Sequence, residues 1–82
     1  MAADKTISAI CSHVARILRE ERERQRLSMN AVAERAGLSQ PMVSFVEREM
    51  RNPTLETLLR ICAALGIDLA QVIAKATRAA RK

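Results

Sequence analysis

Aromatic side chains are nearly missing from this sequence: Phe45 stands alone, and Trp and Tyr do not occur. An interior built without them has to be assembled from Leu, Ile, Val, Ala and Met. The scarcity argues against a strand-rich fold, where aromatic and β-branched residues concentrate. Histidine occurs once, as His13, so a tetrahedral zinc site lacks ligands. With no Tyr and no glycine-rich phosphate loop, no convergent acid, base and nucleophile can be assembled, and neither an enzyme nor a cofactor is expected. Cysteine is limited to Cys11 and Cys62, far apart and without a CxxC partner. Both fall on apolar helical positions, which predicts two buried free thiols rather than a disulfide. No apolar run approaches the ~18 residues of a membrane span, and the start MAADKTISAI has no basic region followed by a long apolar stretch. A cytoplasmic location with no membrane partner is therefore expected.

At 82 residues there is room for one small domain, which buries only ~60% of its unfolded surface and depends on good packing or a partner. Fourteen basic against nine acidic residues give a net charge of +5, which suits a polyanion without proving one. Position says more than the sum. Met1 to Arg26 holds six basic and four acidic residues, Leu27 to Glu49 two and three, and Met50 to Lys82 six and two. The middle of the chain is near neutral, and the positive charge lies on either side of it.

Apolar residues recur at three and four along most of the chain, which predicts an all-α protein of five short helices at about 6–25, 29–36, 40–48, 55–65 and 69–76, followed by a basic tail 77–82 that frays. In the first helix Ile7, Ile10, Cys11, Val14, Ile17 and Leu18 form the stripe. The charged stretch REERERQR then reads as an ion-paired, solvated face, with Arg16, Glu20 and Arg24 four apart. Arg22, Arg24 and Arg26 lie near its end, within possible reach of phosphates. Ser28 caps the second helix, which turns Val32, Ala33 and Ala36 inward, and Gly37 ends it in the left-handed conformation that glycine enters without a Cβ clash. Leu38 plugs the core. Ser39 caps a third helix that buries Val43 and Val46, with Met42 at the edge, and turns Gln40, Ser44, Phe45 and Arg48 outward. Thr54 caps a fourth, with Leu55, Leu58, Leu59, Cys62 and Leu65 inside, and Gly66 ends it. Asp68 caps the fifth, which carries Leu69, Val72 and Ile73.

A helix of about seven residues, a tight glycine turn and a second helix packed across the first describe a helix-turn-helix. Ala33 is small where the second helix crosses, Gly37 follows it by four, and Val43 and Val46 follow the glycine by six and nine. With AERAGLSQ, VSFVER, RNPTLETLLRICAALGI and the lead-in LREERERQRLS, the sequence resembles the XRE family of bacterial and phage regulators over about Ile10 to Ile73. That family includes phage Cro proteins, phage repressor DNA-binding domains and restriction-modification controller proteins. The resemblance implies a compact five-helix lambda-repressor-like domain spanning 1–82 that binds double-stranded DNA, its third helix in the major groove. It places Gln40, Ser44, Phe45 and Arg48 against bases, and Ser28, Asn30, Ser39, Arg51 and Asn52 against phosphates. The chemistry agrees: Gln pairs with adenine, Ser serves several bases, and Phe can meet a thymine methyl.

Alternatives stay open at several of these positions. Phe45 suits an edge-packed or protein-contacting role as well as a base contact, and Arg48 suits a phosphate or a nearby Glu as well as guanine. Pro41 disfavours helical geometry in the residue before it, so Gln40 rather than Ser39 is a candidate cap. Met29 stands where the family often has a phosphate-clamping Gln, though the N–H groups of that helix end remain. The family favours Gly where this chain has Arg26 and Glu49, and a carboxylate at Glu49 has to point away from DNA. A single helix-turn-helix reads few base pairs, so a homodimer on a pseudo-palindromic operator is expected, through Ile67, Leu69, Val72 and Ile73 shared between core and interface. The competing reading is a protein-interaction module, antitoxin-like or accessory, presenting Phe45 and Met42 to another protein.

Overall fold

Each helix after the first starts on a side-chain cap. In the computed structural model, which describes residues 2–81, the helices are α1 (Ala2–Arg24), α2 (Met29–Ala36), α3 (Gln40–Glu47), α4 (Leu55–Leu65) and α5 (Leu69–Ala80). Ser28, Ser39, Thr54 and Asp68 sit in extended backbone at the starts of α2 to α5 and accept from the backbone N–H of Ala31, Met42, Thr57 and Ala70. Each satisfies a donor that the helix itself leaves without a partner.

The ends of the first four helices share one bonding pattern. Leu27 N–H donates to Arg22 O, Leu38 to Ala33, Met50 to Phe45 and Ile67 to Cys62, each reaching five residues back. The residue before each donor takes a left-handed conformation: Gly37 at φ 70° and Gly66 at φ 71°, but also Arg26 at φ 58° and Glu49 at φ 59°. A side chain costs roughly 1–2 kcal/mol in that region. Arg26 is exposed, so Arg26→Gly should relieve the strain with little else lost. Allowing for glycine's greater freedom in the unfolded chain, we expect a gain of about 0.5–1 kcal/mol in urea unfolding.

Two boundaries differ from expectation. α1 begins at Ala2 rather than near Thr6, with Asp4 in its first turn, where a carboxylate offsets the positive end of the helix dipole. α5 runs on to Ala80 instead of fraying after residue 76. Ala74, Ala76, Ala79 and Ala80 favour helix, Ala76 is fully buried, and Thr77 Oγ1 donates to Ile73 O at 2.7 Å. Lys82, the end of the expected tail, lies outside the described residues.

α1 packs along α5, and α2 lies against both α3 and α4. Their shared interior comprises Val14, Leu18, Val32, Ala33, Val43, Val46, Ile61, Cys62, Leu65, Leu69, Val72 and Ala76. Leu69 and Val72, expected to be shared with a dimer interface, are therefore spent on the monomer's own core, at 8% and 3% exposure. Ile67 is half-buried against that core, while Ile73 stays open at 40%. On α4 the expected inner set shifts: Leu55 and Leu59 are exposed, and Ile61, with Cys62 and Leu65, faces inward. Among the described residues no single helix is long and apolar enough to cross a membrane.

The two cysteines part company. Both are free, but Cys62 is buried and Cys11 is exposed, contrary to the expectation of two buried thiols. Burial, reinforced by Asp68, pushes the Cys62 thiol up to about 11. Native protein at about pH 8 should take one equivalent of a thiol reagent rapidly, at Cys11, and a second only on unfolding. Mass spectrometry of the labelled peptides checks the order, and early labelling of Cys62 would show that the core opens.

Candidate nucleic-acid interface

The turn between α2 and α3 brings two helix starts and one helix flank to the surface. Ala33, 4% exposed, leaves room for α3 to cross, while Val43 and Val46 at 0% and 3% hold α3 against the core. A Cβ on Gly37 would meet Arg60 Nη1 at 3.2 Å. That guanidinium donates to Ala36 O at 3.3 Å and pairs with Glu56, so α4 braces the end of α2. Ser39 is the cap of α3, with its Oγ accepting from Met42 N–H at 3.3 Å. Gln40 is the first helical residue and Pro41 follows inside the first turn, where a missing N–H costs nothing. The Gln40 side chain is thus free of the capping role, and its Nε2 donates to Met29 Sδ at 3.5 Å. That contact joins the starts of α2 and α3.

The outward row of α3 differs from expectation at one position. Pro41 and Arg48 are exposed, and Gln40, Met42 and Phe45 are half-buried, but Ser44 is only 9% exposed. At 3.6 residues per turn Ser44 lies about 40° from both Gln40 and Arg48, so its side of the helix agrees with expectation and only its exposure does not. The expectation that it is turned out to solvent is corrected accordingly, because the side chain is covered in the monomer.

Glu47 itself was invisible to periodicity. It is 8% exposed because Arg22 Nε donates to Glu47 Oε2 at 2.7 Å and Arg22 Nη2 to Oε1 at 3.0 Å. The remaining Nη1 donates to Leu27 O at 2.8 Å. One guanidinium thereby ties the end of α1, the turn into α2 and the last residue of α3. The hydrogen bonds it donates to Glu47 push the Arg22 guanidinium above its ordinary pKa, against the desolvation that lowers it. Arg22 is consequently not available to a phosphate. Of the other arginines there, Arg24 pairs with Glu21, three residues away rather than with Glu20, whereas Arg16 and Glu20 do pair at 3.4 Å. Bonds from Arg24 and then Gln25 hold the Glu21 carboxyl below its usual range.

Beyond α3 the chain turns back. Glu49 is turned toward α1, accepting from Ser12 Oγ. Arg51 and Asn52 are exposed, and the Arg51 guanidinium carbon lies 4.8 Å from the Phe45 ring centroid. Ser28, Asn30 and Ser39 are exposed as well. The structure thus brings Gln40 beside Met29 and Phe45 beside Arg51, and presents Arg48 freely. Among the described residues, no group of three His, Cys, Asp or Glu is placed to hold a metal ion.

A family model described as helix-turn-helix (HTH_3) matches residues 18–72. Over 51 residues, 62% of this chain and 36% of the other protein, the sequence is 41% identical to an uncharacterized HTH-type transcriptional regulator of Mycobacterium tuberculosis. Over 56 residues, 68% of this chain and 39% of the other, it is 34% identical to the immunity repressor protein of Bacillus phage phi105. The chain thus spans well under half the length of both relatives. Among solved structures, a point mutant of C.Esp1396I bound to its highest affinity operator site superposes with a TM-score of 0.78 at 20% identity, over 90% of this chain and 97% of that one. At that identity the likeness is one of fold.

Proposed function

The chain belongs to the XRE-type helix-turn-helix family, and on that premise we propose that it is a transcriptional regulator that binds double-stranded DNA in a sequence-specific manner, as a homodimer on a pseudo-palindromic operator. The observation that carries the reading is the outer edge of α3. Gln40 and Arg48 stand there with polar side chains the core does not need, on a helix fixed at its start by Ser39 and at its end by Glu47. We assign base contacts to Gln40 and Arg48: a carboxamide suits adenine and a guanidinium suits guanine. Phosphate contacts fall to Ser28, Asn30, Ser39, Arg51 and Asn52, which flank that edge and are exposed. The names of the relatives, a transcriptional regulator and an immunity repressor, and the operator bound by the structural neighbour support the same reading. Catalysis has no part in it, and it places the protein in the cytoplasm.

Two-fold pairing would set recognition helices about one DNA turn, ~34 Å, apart. The monomer leaves Leu55 and Leu59 on α4 and Ile73 on α5 open, at 67%, 51% and 40%. We assign the dimer contact to these side chains in place of Leu69 and Val72. Leu59→Asp and Ile73→Asp together should give a folded monomer with reduced operator affinity. Sedimentation showing an unchanged dimer would move the interface elsewhere.

Exposed leucines also suit the competing reading, a module that binds another protein, antitoxin-like or accessory. Selection of bound sequences from a random duplex pool separates the two. The DNA reading predicts an enriched site with two related halves, and a pool left unenriched at low salt would favour the protein partner. On the enriched site, Gln40→Ala should relax preference at one position at a cost of roughly 1–3 kcal/mol, whereas Arg51→Ala should weaken all duplexes alike. Equal losses on selected and random DNA for both variants would refute this division of roles.

A further inference from the structure

We propose that Phe45 is a positioning residue: its ring holds the Arg51 guanidinium beside the outer face of α3, so that it acts on DNA through Arg51 rather than by touching a base. The inference rests on the DNA-binding reading and gives Phe45 a role different from the base contact expected of it. Phe45 is the one aromatic residue in the chain, and it lies outside the buried core cluster. Its ring is instead covered by Arg51, whose guanidinium carbon is 4.8 Å from the centroid, within the range where a cation is attracted to an aromatic face.

The turn after α3 produces this placement. Glu49 adopts φ 59°, Met50 N–H donates to Phe45 O at 2.9 Å, and the chain doubles back so that residue 51 returns over residue 45. The nearest carboxylate in sequence, Glu49, is engaged by Ser12, so the ring and not an acid orients Arg51. A guanidinium lying on a ring keeps the N–H donors at its edge free, and those donors form the fork that matches a phosphate. Held in this way, Arg51 has already lost the rotational freedom that a loose arginine would give up on binding. That preorganisation corresponds to about 2- to 10-fold in affinity.

Binding of wild type, Phe45→Leu, Phe45→Tyr, Arg51→Ala and the double variant Phe45→Leu/Arg51→Ala would be measured on the selected duplex and on its single-base variants. Phe45→Leu should weaken every duplex by one common factor, Phe45→Tyr should restore binding, and Phe45→Leu should add nothing once Arg51 is removed. A change of preference confined to one base pair, or losses that multiply in the double variant, would overturn the proposal. A second readout needs no DNA. The side-chain Nε–H proton of Arg51 should be shifted upfield by the ring current in wild type and Phe45→Tyr, and not in Phe45→Leu. Absence of that shift in wild type would remove the stack itself. A wild-type chain that binds no duplex while the shift persists would instead sink the DNA reading, and the role proposed for Phe45 with it.

Discussion

Glu47→Ala is expected to destabilise the folded protein by about 3–5 kcal/mol, because it strands the Arg22 guanidinium at a site where that side chain is only 13% exposed. The whole stability of a domain this size is roughly 4–12 kcal/mol, so the variant should sit close to its unfolding threshold at ordinary temperature. The cost lies in the unpaired charge more than in the lost attraction. For that reason a double replacement, Arg22→Met with Glu47→Leu, should recover most of the loss, since two apolar groups of similar volume leave no charge to solvate and only the Leu27 carbonyl loses a donor. Urea unfolding of the two variants beside wild type reads both effects. A loss under about 1 kcal/mol for Glu47→Ala, the range of an exposed pair, would mean that the pair is open to water in solution. The functional consequence follows from position. Glu47 is the last residue of α3, and without it the far end of that helix keeps only the Ser12–Glu49 hydrogen bond and its apolar packing against α1.

Val72→Asp should abolish the fold rather than the dimer. Val72 is 3% exposed in the monomer's core, and a carboxylate placed there has neither water nor a partner, a cost above about 4 kcal/mol. Far-ultraviolet circular dichroism should show an unfolded chain at neutral pH. Ile73→Asp, one residue on, should remain helical because Ile73 is already 40% exposed. A folded, monomeric Val72→Asp variant would restore the interface that the helical pattern alone suggests.

The contrast between these neighbours shows what periodicity can and cannot deliver. Caps and breakers act locally, so Ser28, Ser39, Thr54 and Asp68 mark helix starts, and Gly37 and Gly66 helix ends, where the residues themselves place them. The apolar stripe likewise indicates which face of a helix turns inward, and Val43 and Val46 are buried as expected. Its width depends on how neighbouring helices cross. Leu55, Leu59 and Cys11 lie at stripe edges that nothing covers, while Ile61 lies at an edge that is covered. Glu47 and Arg22 were illegible for a different reason. Their partners are 25 residues apart, and a charge within REERERQR looks the same whether it faces solvent or a buried acid. Ser44 sits on the expected side of α3, but the helical period does not tell that it is covered. Arg26 and Glu49 adopt left-handed backbone, which the residues themselves do not signal, since neither is the glycine that conformation favours.

The claim on which the rest depends is that the exposed edge of α3 enters a groove of duplex DNA. Its most direct test is a fluorescence-anisotropy titration of the selected duplex and of a scrambled one, repeated across a salt series with wild type and Arg51→Ala. Two copies of Arg51 in a dimer, each neutralising a phosphate, predict log affinity falling against log salt with a slope of about −2 or steeper, made shallower by about 2 when Arg51 is removed. The selected duplex should be preferred throughout. Equal affinity for both duplexes, or binding indifferent to salt and to Arg51, would contradict the account.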